Sequence, residues 1–385
     1  MFTVKRKALE PSSIELLNTE GQPVAAVSQF LKYIAARGSS PNTVLAYAYD
    51  LAHLWTFLLI AQLRWEDLSA AQAIDFLVHL RALAAKRRGA VKDIAVVSSG
   101  GAPVSAGLSA ATINRMLVAV SCFYDWAILS DQVDGPNPMM KVEDHRTLRI
   151  SDRHRPFLDG VSRRRPMAHT LRAKMIRRLP RPMSDEQIDA LLGALKSLRD
   201  NALVQLMLNA GLRPGEALGL HLTDIAYGRR RVAIRCRDDH PRGVRSKSRT
   251  ERLVDLHDGA TLATLNAYVM SERPVDAVTT IVFLVGGKGT RRNEPLSYAA
   301  LVRLFARACE RAGIRESWMT PHALRHTHAT RMWEAGMREL TLQRRLGHAS
   351  PESTRIYTRI SDASVVAEYR HALGLAADAP RGKQS

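Results

Sequence analysis

Apolar positions along the first third of the chain recur at helical spacing. In VAAVSQFLKYIAARG, Val24, Val27, Leu31 and Ile34 fall on one stripe, and Gly38 supplies a left-handed stop. In SSPNTVLAYAYDLAHLWTFLL, Ser40 is the expected N-cap and Pro41 the first helical residue. Val44, Tyr47, Leu51, Trp55 and Leu58 then repeat along one face. A third helix is predicted through AAQAIDFLVHLRALAAK, ending at the basic KRRG turn. GAVKDIAVVSSGGAPVSAGLS is too rich in Gly and Ser for regular structure and reads as a long loop. ATINRMLVAVSCFYDWAIL restores the period with Ile113, Leu117, Val120, Tyr124 and Ala127. Residues 24 to 130 therefore predict a bundle of four amphipathic helices.

The pattern breaks between Met140 and Pro182, where arginine is dense and periodic apolar residues are few, as in a linker. It resumes at MSDEQIDALLGAL, in which Ser184 and Gln187 have the spacing of a capping box. A further helix ends near Gly211. RRVAIRC and RLVDL, joined by RDDHPRGVRSKSRTE, predict an antiparallel hairpin, and TIVFLV predicts one more strand. Beyond Pro295 the period is helical again, so the second domain is expected to be mainly α with a small antiparallel β-sheet.

Composition narrows the partner. The 385 residues suffice for two cores, and 56 Lys and Arg against 37 Asp and Glu give a formal net charge of +19. With a pI of about 10.4, a polyanion is the expected ligand, and the Arg-rich linker is expected to touch phosphates. Cys122, Cys236 and Cys309 match no zinc spacing and are expected to be buried, unpaired thiols of a reducing compartment. Neither a signal peptide nor an uninterrupted apolar run of membrane length is seen, so a cytoplasmic protein with no membrane partner is expected.

Four separated stretches carry candidate chemistry. GLRPGEALGL holds Arg213 at a tight corner between a helix-ending glycine and Pro214. TPHALRHTHATRMW places Thr320 as N-cap and Pro321 at the first helical position, so His322 and Arg325 share a face near a positive helix end and can reach one anion. LGHASPESTRIYTRI turns at Gly347, presents His348, and starts at Ser350 and Pro351 a helix that carries Tyr357. SKSRTERLVDL presents Lys247 at the hairpin tip or second strand. Together they form a phosphoryl-transfer set that needs neither metal nor other cofactor. Two guanidinium forks replace a cation on the non-bridging oxygens, a phenol in a cationic setting attacks, histidine handles its proton, and lysine protonates the departing sugar oxygen.

Blander readings exist for each part. Tyr357 could be an amphipathic surface residue; Arg213 could cap the helix ending at Gly211 with Glu216 as its ion-pair partner. His322, His326 and His328 could be a metal cluster, although only His322 and His326 share a face, and His326 and His328 read better as packing or phosphate contacts. Asp224 is expected to cap or orient a turn.

Taken in order, GLRPGE, SKSRTERLVDL, HALRH and LGHASPESTRIY resemble the motifs of the tyrosine recombinase, or phage integrase, family, and the resemblance runs from about Val24 to Ile360. It implies an N-terminal SAM-like core-binding domain and a C-terminal catalytic domain that close round DNA as a C-shaped clamp. The expected division is 1–20 as an N-terminal extension, 21–135 core-binding, 136–181 basic linker and 182–385 catalytic. By the resemblance Arg213, Lys247, His322, Arg325 and His348 are the electrostatic and acid-base set and Tyr357 is the nucleophile, with Arg245 and Arg249 as neighbours that leave the lysine assignment open. Ser40, Asn42, Thr43, Asn114 and Arg115, with Arg245 and Arg249, are expected at the DNA. The implied activity is site-specific strand exchange through a 3′-phosphotyrosyl intermediate, by four protomers on two DNA sites, near the nucleoid of a bacterial-type cell and with an accessory DNA-bending factor as a further partner.

Departures from the family leave the biological subclass open. The insert at 96–108 and the joint before Pro182 are longer than in compact chromosome-dimer resolvases, and residues 1–20 are too short for a separate arm-binding domain. Integration or excision of a mobile element is the first reading. Chromosome- or plasmid-dimer resolution, a type IB topoisomerase and a non-catalytic DNA-binding regulator are the alternatives.

Overall fold

A computed structural model describes residues 2–6, 14–83, 107–143, 167–175, 181–245 and 251–347. The chain divides into two compact units, Met1–Arg177 and Arg178–Ser385. Most of the Gly/Ser-rich insert, together with Lys247, Arg249, His348 and Tyr357, lies outside the described residues.

Unit one is built on the four predicted helices, α1 (Ala25–Ala36), α2 (Pro41–Ile60), α3 (Ala70–Ala82) and α4 (Ala110–Leu129). Their boundaries follow local chemistry. Gly38 is left-handed at φ 81°, Ser40 accepts a hydrogen bond from the Thr43 amide, and Ser69 and Gln72 close a reciprocal capping box. The apolar stripes meet around an aromatic centre in which Phe123 lies 5.3 Å edge-on from both Trp55 and Trp65 and 5.5 Å from Phe30. By length and composition α2 could cross a membrane, yet Val44, Ala48, Leu51, Leu54 and Leu58 are buried in this core.

Two features were not foreseen. The N-terminal extension contains an antiparallel pair, β1 (Thr3–Arg6) and β2 (Ile14–Leu17), in register Thr3↔Leu17, and it buries Ile14 and Leu16 against the helices. Within the stretch expected as a linker, β3 (Lys141–Glu143) pairs with β4 (Met167–His169), and Met139 and Ala173 join the helical core. The amide of Asn114 fixes the latter segment, donating to the Ala173 carbonyl at 3.0 Å and accepting from its N–H at 2.7 Å.

Unit two opens with α5 (Asp185–Gly193), where Ser184 and Gln187 form the predicted capping box. It continues through α6 (Leu198–Ala210), which ends at left-handed Gly211, and the short α7 (Pro214–Leu218). The hairpin is present as β6 (Arg231–Ile234) and β7 (Arg252–Asp255), paired Val232↔Val254, and β5 (Ile225–Ala226) adds a third strand. TIVFLV is not a strand of this sheet. Its middle, Ile281 to Leu284, threads through the core as buried extended chain with single bridges, His221↔Ile281 and Leu284↔Pro295. Its polar backbone is satisfied one group at a time: the Leu220 carbonyl accepts from Val282 at 2.8 Å, and the buried Tyr268 hydroxyl serves Val282 and Leu284 at 3.1 Å each. The helices α8 (Gly259–Ala267), α9 (Tyr298–Arg311), α10 (Pro321–Glu334) and α11 (Glu339–Leu346) complete the unit. Asp224 orients its turn as expected, accepting from the His221 amide at 3.0 Å and from Arg237 at 2.7 Å. Cys309 is buried, but Cys122 is half-buried and Cys236, two residues past the end of β6, is exposed rather than buried.

One carboxylate in unit one carries a pH signature. Asp50 is fully buried on α2 and accepts from Arg115 at 2.5 Å, while its other oxygen has no partner. Burial, opposed by Arg115, pushes its pKa up to about 6 from an ordinary 3.8. An acid with a raised folded-state pKa lends stability below its unfolded pKa and loses it as pH rises through the folded value, so the window is roughly pH 4 to 6. Asp50→Asn should therefore gain on the wild type across that window, by an amount on the order of 2–3 kcal/mol. Calorimetric melting of the full chain at pH 4 and pH 7 measures it; a variant-minus-wild-type difference that does not change with pH contradicts the assignment.

Candidate active site

The site grows from a carboxylate with no access to water. Arg213 occupies the N-cap of α7, and the Glu216 side chain, one turn on and fully buried, reaches back to it. Glu216 accepts from the Arg213 amide at 2.9 Å and from Arg213 Nη1 at 2.8 Å. Arg252, the first residue of β7, lays its fork across the same carboxylate at 3.0 and 2.8 Å. Arg325, one turn into α10, brings Nη1 to 3.8 Å of it. Burial alone would raise the Glu216 pKa, but the Arg252 hydrogen bonds and charge, the Arg213 amide and the Arg325 charge hold it down at about 2.

The three guanidiniums also hold one turn of backbone. Arg325 donates to the Gly211 carbonyl at 2.6 Å and to Leu346 at 2.7 Å; Arg213 donates to Gly347 at 3.0 Å, and Arg252 Nε to Arg345 at 2.8 Å. Three consecutive carbonyls at the end of α11 are thus each taken by a different arginine. Gly347 is left-handed at φ 64°, and a Cβ there would stand 2.7 Å from Arg252 Nη1, so the turn requires glycine twice over. Gly211, also at φ 64°, would meet the His328 ring at 2.4 Å. The carbonyl of Arg245 closes over Gly215, where a Cβ would lie 2.5 Å away, so this corner of α7 also requires glycine.

Behind this layer, Arg345 and His328 form a second one. Arg345 donates to His328 Nε2 at 3.1 Å and to the carbonyls of Asn209 at 3.2 Å and Asp255 at 3.3 Å. Burial and then the Arg345 charge lower the His328 pKa to about 3, so the ring is a neutral acceptor. His326 is lowered to about 4 by burial and by the charges of His322 and Arg325.

The structure thus brings Arg213 and Arg325 together, on one carboxylate and on adjacent carbonyls. Arg213 is the more open, with 20% of its side chain exposed against 4% for Arg325. His322 is exposed in the first turn of α10. His328 serves packing, and among the described residues no three His, Cys, Asp or Glu side chains gather as a metal-binding group. Arg245 lies 3.7 Å from Asp238. In unit one, Ser40 and Thr43 share a hydrogen bond at 2.9 Å at the start of α2, next to Asn42; Asn114 is engaged by Ala173, and Arg115 reaches Asp50 with 45% of its side chain still exposed.

Sequence reasoning missed Arg252 and Arg345. The signal was available in the period: Arg252 and Val254 share one face of β7, Val254 and the following Leu256 are buried, and a charge on the inward face of a strand demanded a partner.

Chemically, three guanidiniums against one carboxylate leave an excess of positive charge beside a turn whose next residue is His348. Such an arrangement suits an incoming dianionic or monoanionic phosphate group.

Comparisons with known proteins agree with this chemistry. The phage integrase family model matches residues 181–364, and the phage integrase N-terminal SAM-like domain model matches residues 27–99. Transposase A from transposon Tn554 of Staphylococcus aureus is 28% identical over 92% of this chain and 92% of its own. A tyrosine recombinase XerC of Corynebacterium efficiens is 25% identical over 92% of both chains. Among solved structures, the Tn1549 transposon integrase in complex with circular intermediate DNA has a TM-score of 0.59 at 18% identity, covering 89% of this chain and 98% of that one. The XerH site-specific recombinase bound to a palindromic substrate has the same TM-score at 17% identity, covering 89% and 84%.

Glu216→Gln keeps the shape and removes the charge that three arginines share. Urea unfolding at pH 7 should show a loss of about 3–5 kcal/mol, the usual cost of leaving buried charges without their partner. The wild-type contribution should fade as pH falls from the ordinary glutamate value of 4.5 towards about 2, because a depressed pKa gives stability above the unfolded value and loses it on protonation. A variant within ~1 kcal/mol of wild type contradicts the hub.

Proposed function

The chain is a tyrosine recombinase of the phage integrase family, and from that premise we propose that it integrates and excises a mobile element by site-specific cleavage and rejoining of double-stranded DNA. The observation that carries the catalytic assignment is the convergence of Arg213 and Arg325 on Glu216 and on the Leu346–Gly347 turn, directly ahead of His348 in the sequence.

In this reading the two guanidiniums neutralise the non-bridging oxygens of the scissile phosphate. The Tyr357 oxygen attacks phosphorus and gives up its proton to the histidine pair His322 and His348, one accepting it while the other orients the step. The bond from phosphorus to the 5′ oxygen breaks, and Lys247 protonates that leaving oxygen to give the free 5′ hydroxyl. A 3′-phosphotyrosyl ester remains. Its attack by the 5′ hydroxyl of a partner strand reverses each bond change and returns the phenol, so no nucleotide cofactor is consumed. Four protomers on two sites, an accessory bending protein and a nucleoid location complete the proposal. The 92% coverage shared with a transposase supports the mobile-element reading, and similar coverage of a XerC recombinase supports dimer resolution as the second.

A nicked suicide duplex carrying the element's own end tests the chemistry. Wild type should trap as a covalent protein–DNA adduct, and Tyr357→Phe should bind the duplex equally and trap none; an adduct formed by that variant rejects the nucleophile. Arg213→Ala should slow adduct formation by ~100-fold or more, the scale of losing one oxyanion donor. Arg252→Lys, which keeps charge and loses the fork, should slow it at least ~10-fold through misplacement of the neighbouring groups. An unchanged single-turnover rate in either variant would contradict the clamp.

A further inference from the structure

Unit two carries a second cationic feature that the cluster around Glu216 does not use. A groove of about 390 Å³ runs beside α9 and is lined by Arg199, Arg291, Arg303, Arg307 and Arg311, with Asp200 its one acidic side chain. Asp200 is already matched, since Arg199 Nη2 lies 2.6 Å from it. Arg199 and Arg311 help build the walls: Arg199 donates to the Leu284 carbonyl at 3.2 Å, and Arg311 to the Ala194 carbonyl at 2.9 Å.

Arg303 and Arg307 are different. Both are exposed, and among the described residues neither has an ion-pair or hydrogen-bond partner. They stand four residues apart on one face of α9, about 6 Å along the axis, where like charges repel and cost the helix a few tenths of a kcal/mol. The N-cap of the same helix, Ser297, also lines the groove, so the positive end of the α9 dipole adds to the field. A row of guanidiniums along a concave wall, reinforced by a helix N-terminus, matches a linear polyanion better than a single small ion.

Its position separates it from the catalytic cluster. Arg199 lies in the first turn of α6, whereas Gly211, which accepts from Arg325, closes the other end of that helix. Twelve residues of α-helix separate them by about 18 Å, the length of roughly five base pairs of duplex. We propose that this groove is an auxiliary DNA-backbone site in which Arg303 and Arg307 hold phosphates several base pairs from the cleaved one and set the register of the duplex on the catalytic unit. The proposal rests on the reading of the chain as a DNA recombinase, which supplies the polyanion.

Binding of a 40-base-pair duplex of unrelated sequence, titrated from low to physiological salt, tests it. Removing two phosphate contacts with Arg303→Gln/Arg307→Gln should weaken binding roughly tenfold at low salt and lower the slope of log K against log salt by about 2. Arg303→Lys/Arg307→Lys should keep the slope and lose only a few-fold in affinity, because charge remains while the fork is lost. Arg229→Gln/Arg230→Gln takes the same charge from an exposed turn elsewhere in the unit and should leave the slope within half a unit of wild type.

A Gln pair indistinguishable from wild type, as expected if the groove serves an acidic protein segment instead, overturns the proposal, and so does an equal loss in the Arg229/Arg230 pair. Flat salt dependence in the wild type itself would reject the DNA reading rather than the groove.

Discussion

A carboxylate removed from water and surrounded by arginines is the constraint on which the catalytic unit depends. Glu216 accepts from Arg213 and Arg252 and lies within 3.8 Å of Arg325, and these come from α7, β7 and α10, which are far apart in sequence. Burying that many charges is costly, and a well-packed apolar cluster of similar volume could be as stable. What the ionic cluster supplies is direction. Each fork is oriented by its share of the carboxylate and by a backbone carbonyl of the 345–347 turn, so the guanidiniums proposed to take the phosphate are fixed by the protein itself.

The same arrangement leaves little room at the backbone turns around the site. The two left-handed glycines sit where a Cβ would strike His328 or Arg252, and the Arg345–His328 layer supports the first from behind. His328 stays neutral because it is buried beside Arg345, which lets it accept rather than repel. Unit one uses the opposite device at Asp50, where a single partly exposed arginine does not overcome burial and the carboxyl pKa rises. One carboxylate is charged under all ordinary conditions and the other titrates, and the difference is the number of donors each is given.

Much of this was legible in the sequence because it is local. Helical stripes, the Ser40 and Ser184 caps, the stop at Gly211 and the pairing of RRVAIRC with RLVDL depend on spacing and turn chemistry, and they recur in the structure. Arg213 and Arg325 were legible through their motifs. The features that escaped are non-local. TIVFLV has strand composition, but its hydrogen-bonding partners are single residues such as Leu220 and the Tyr268 hydroxyl, which no period reveals. The pairing of β1 with β2 uses only four residues per strand, and that of β3 with β4 only three, each with its partner supplied across an intervening segment. Arg252 lies within the hairpin sequence, and its inward register, which places it on Glu216, depends on a partner 36 residues away.

The central claim is that Glu216 acts through the arginines it orients, and a double-mutant cycle on single-turnover strand cleavage measures it most directly. With Glu216→Gln, Arg213→Lys and the double variant compared at saturating DNA, each checked by circular dichroism to be folded, the two losses should fail to add, with the double variant no more than a few-fold slower than the worse single one. Losses that multiply independently would mean that the carboxylate and the guanidinium do separate jobs, and would contradict the account.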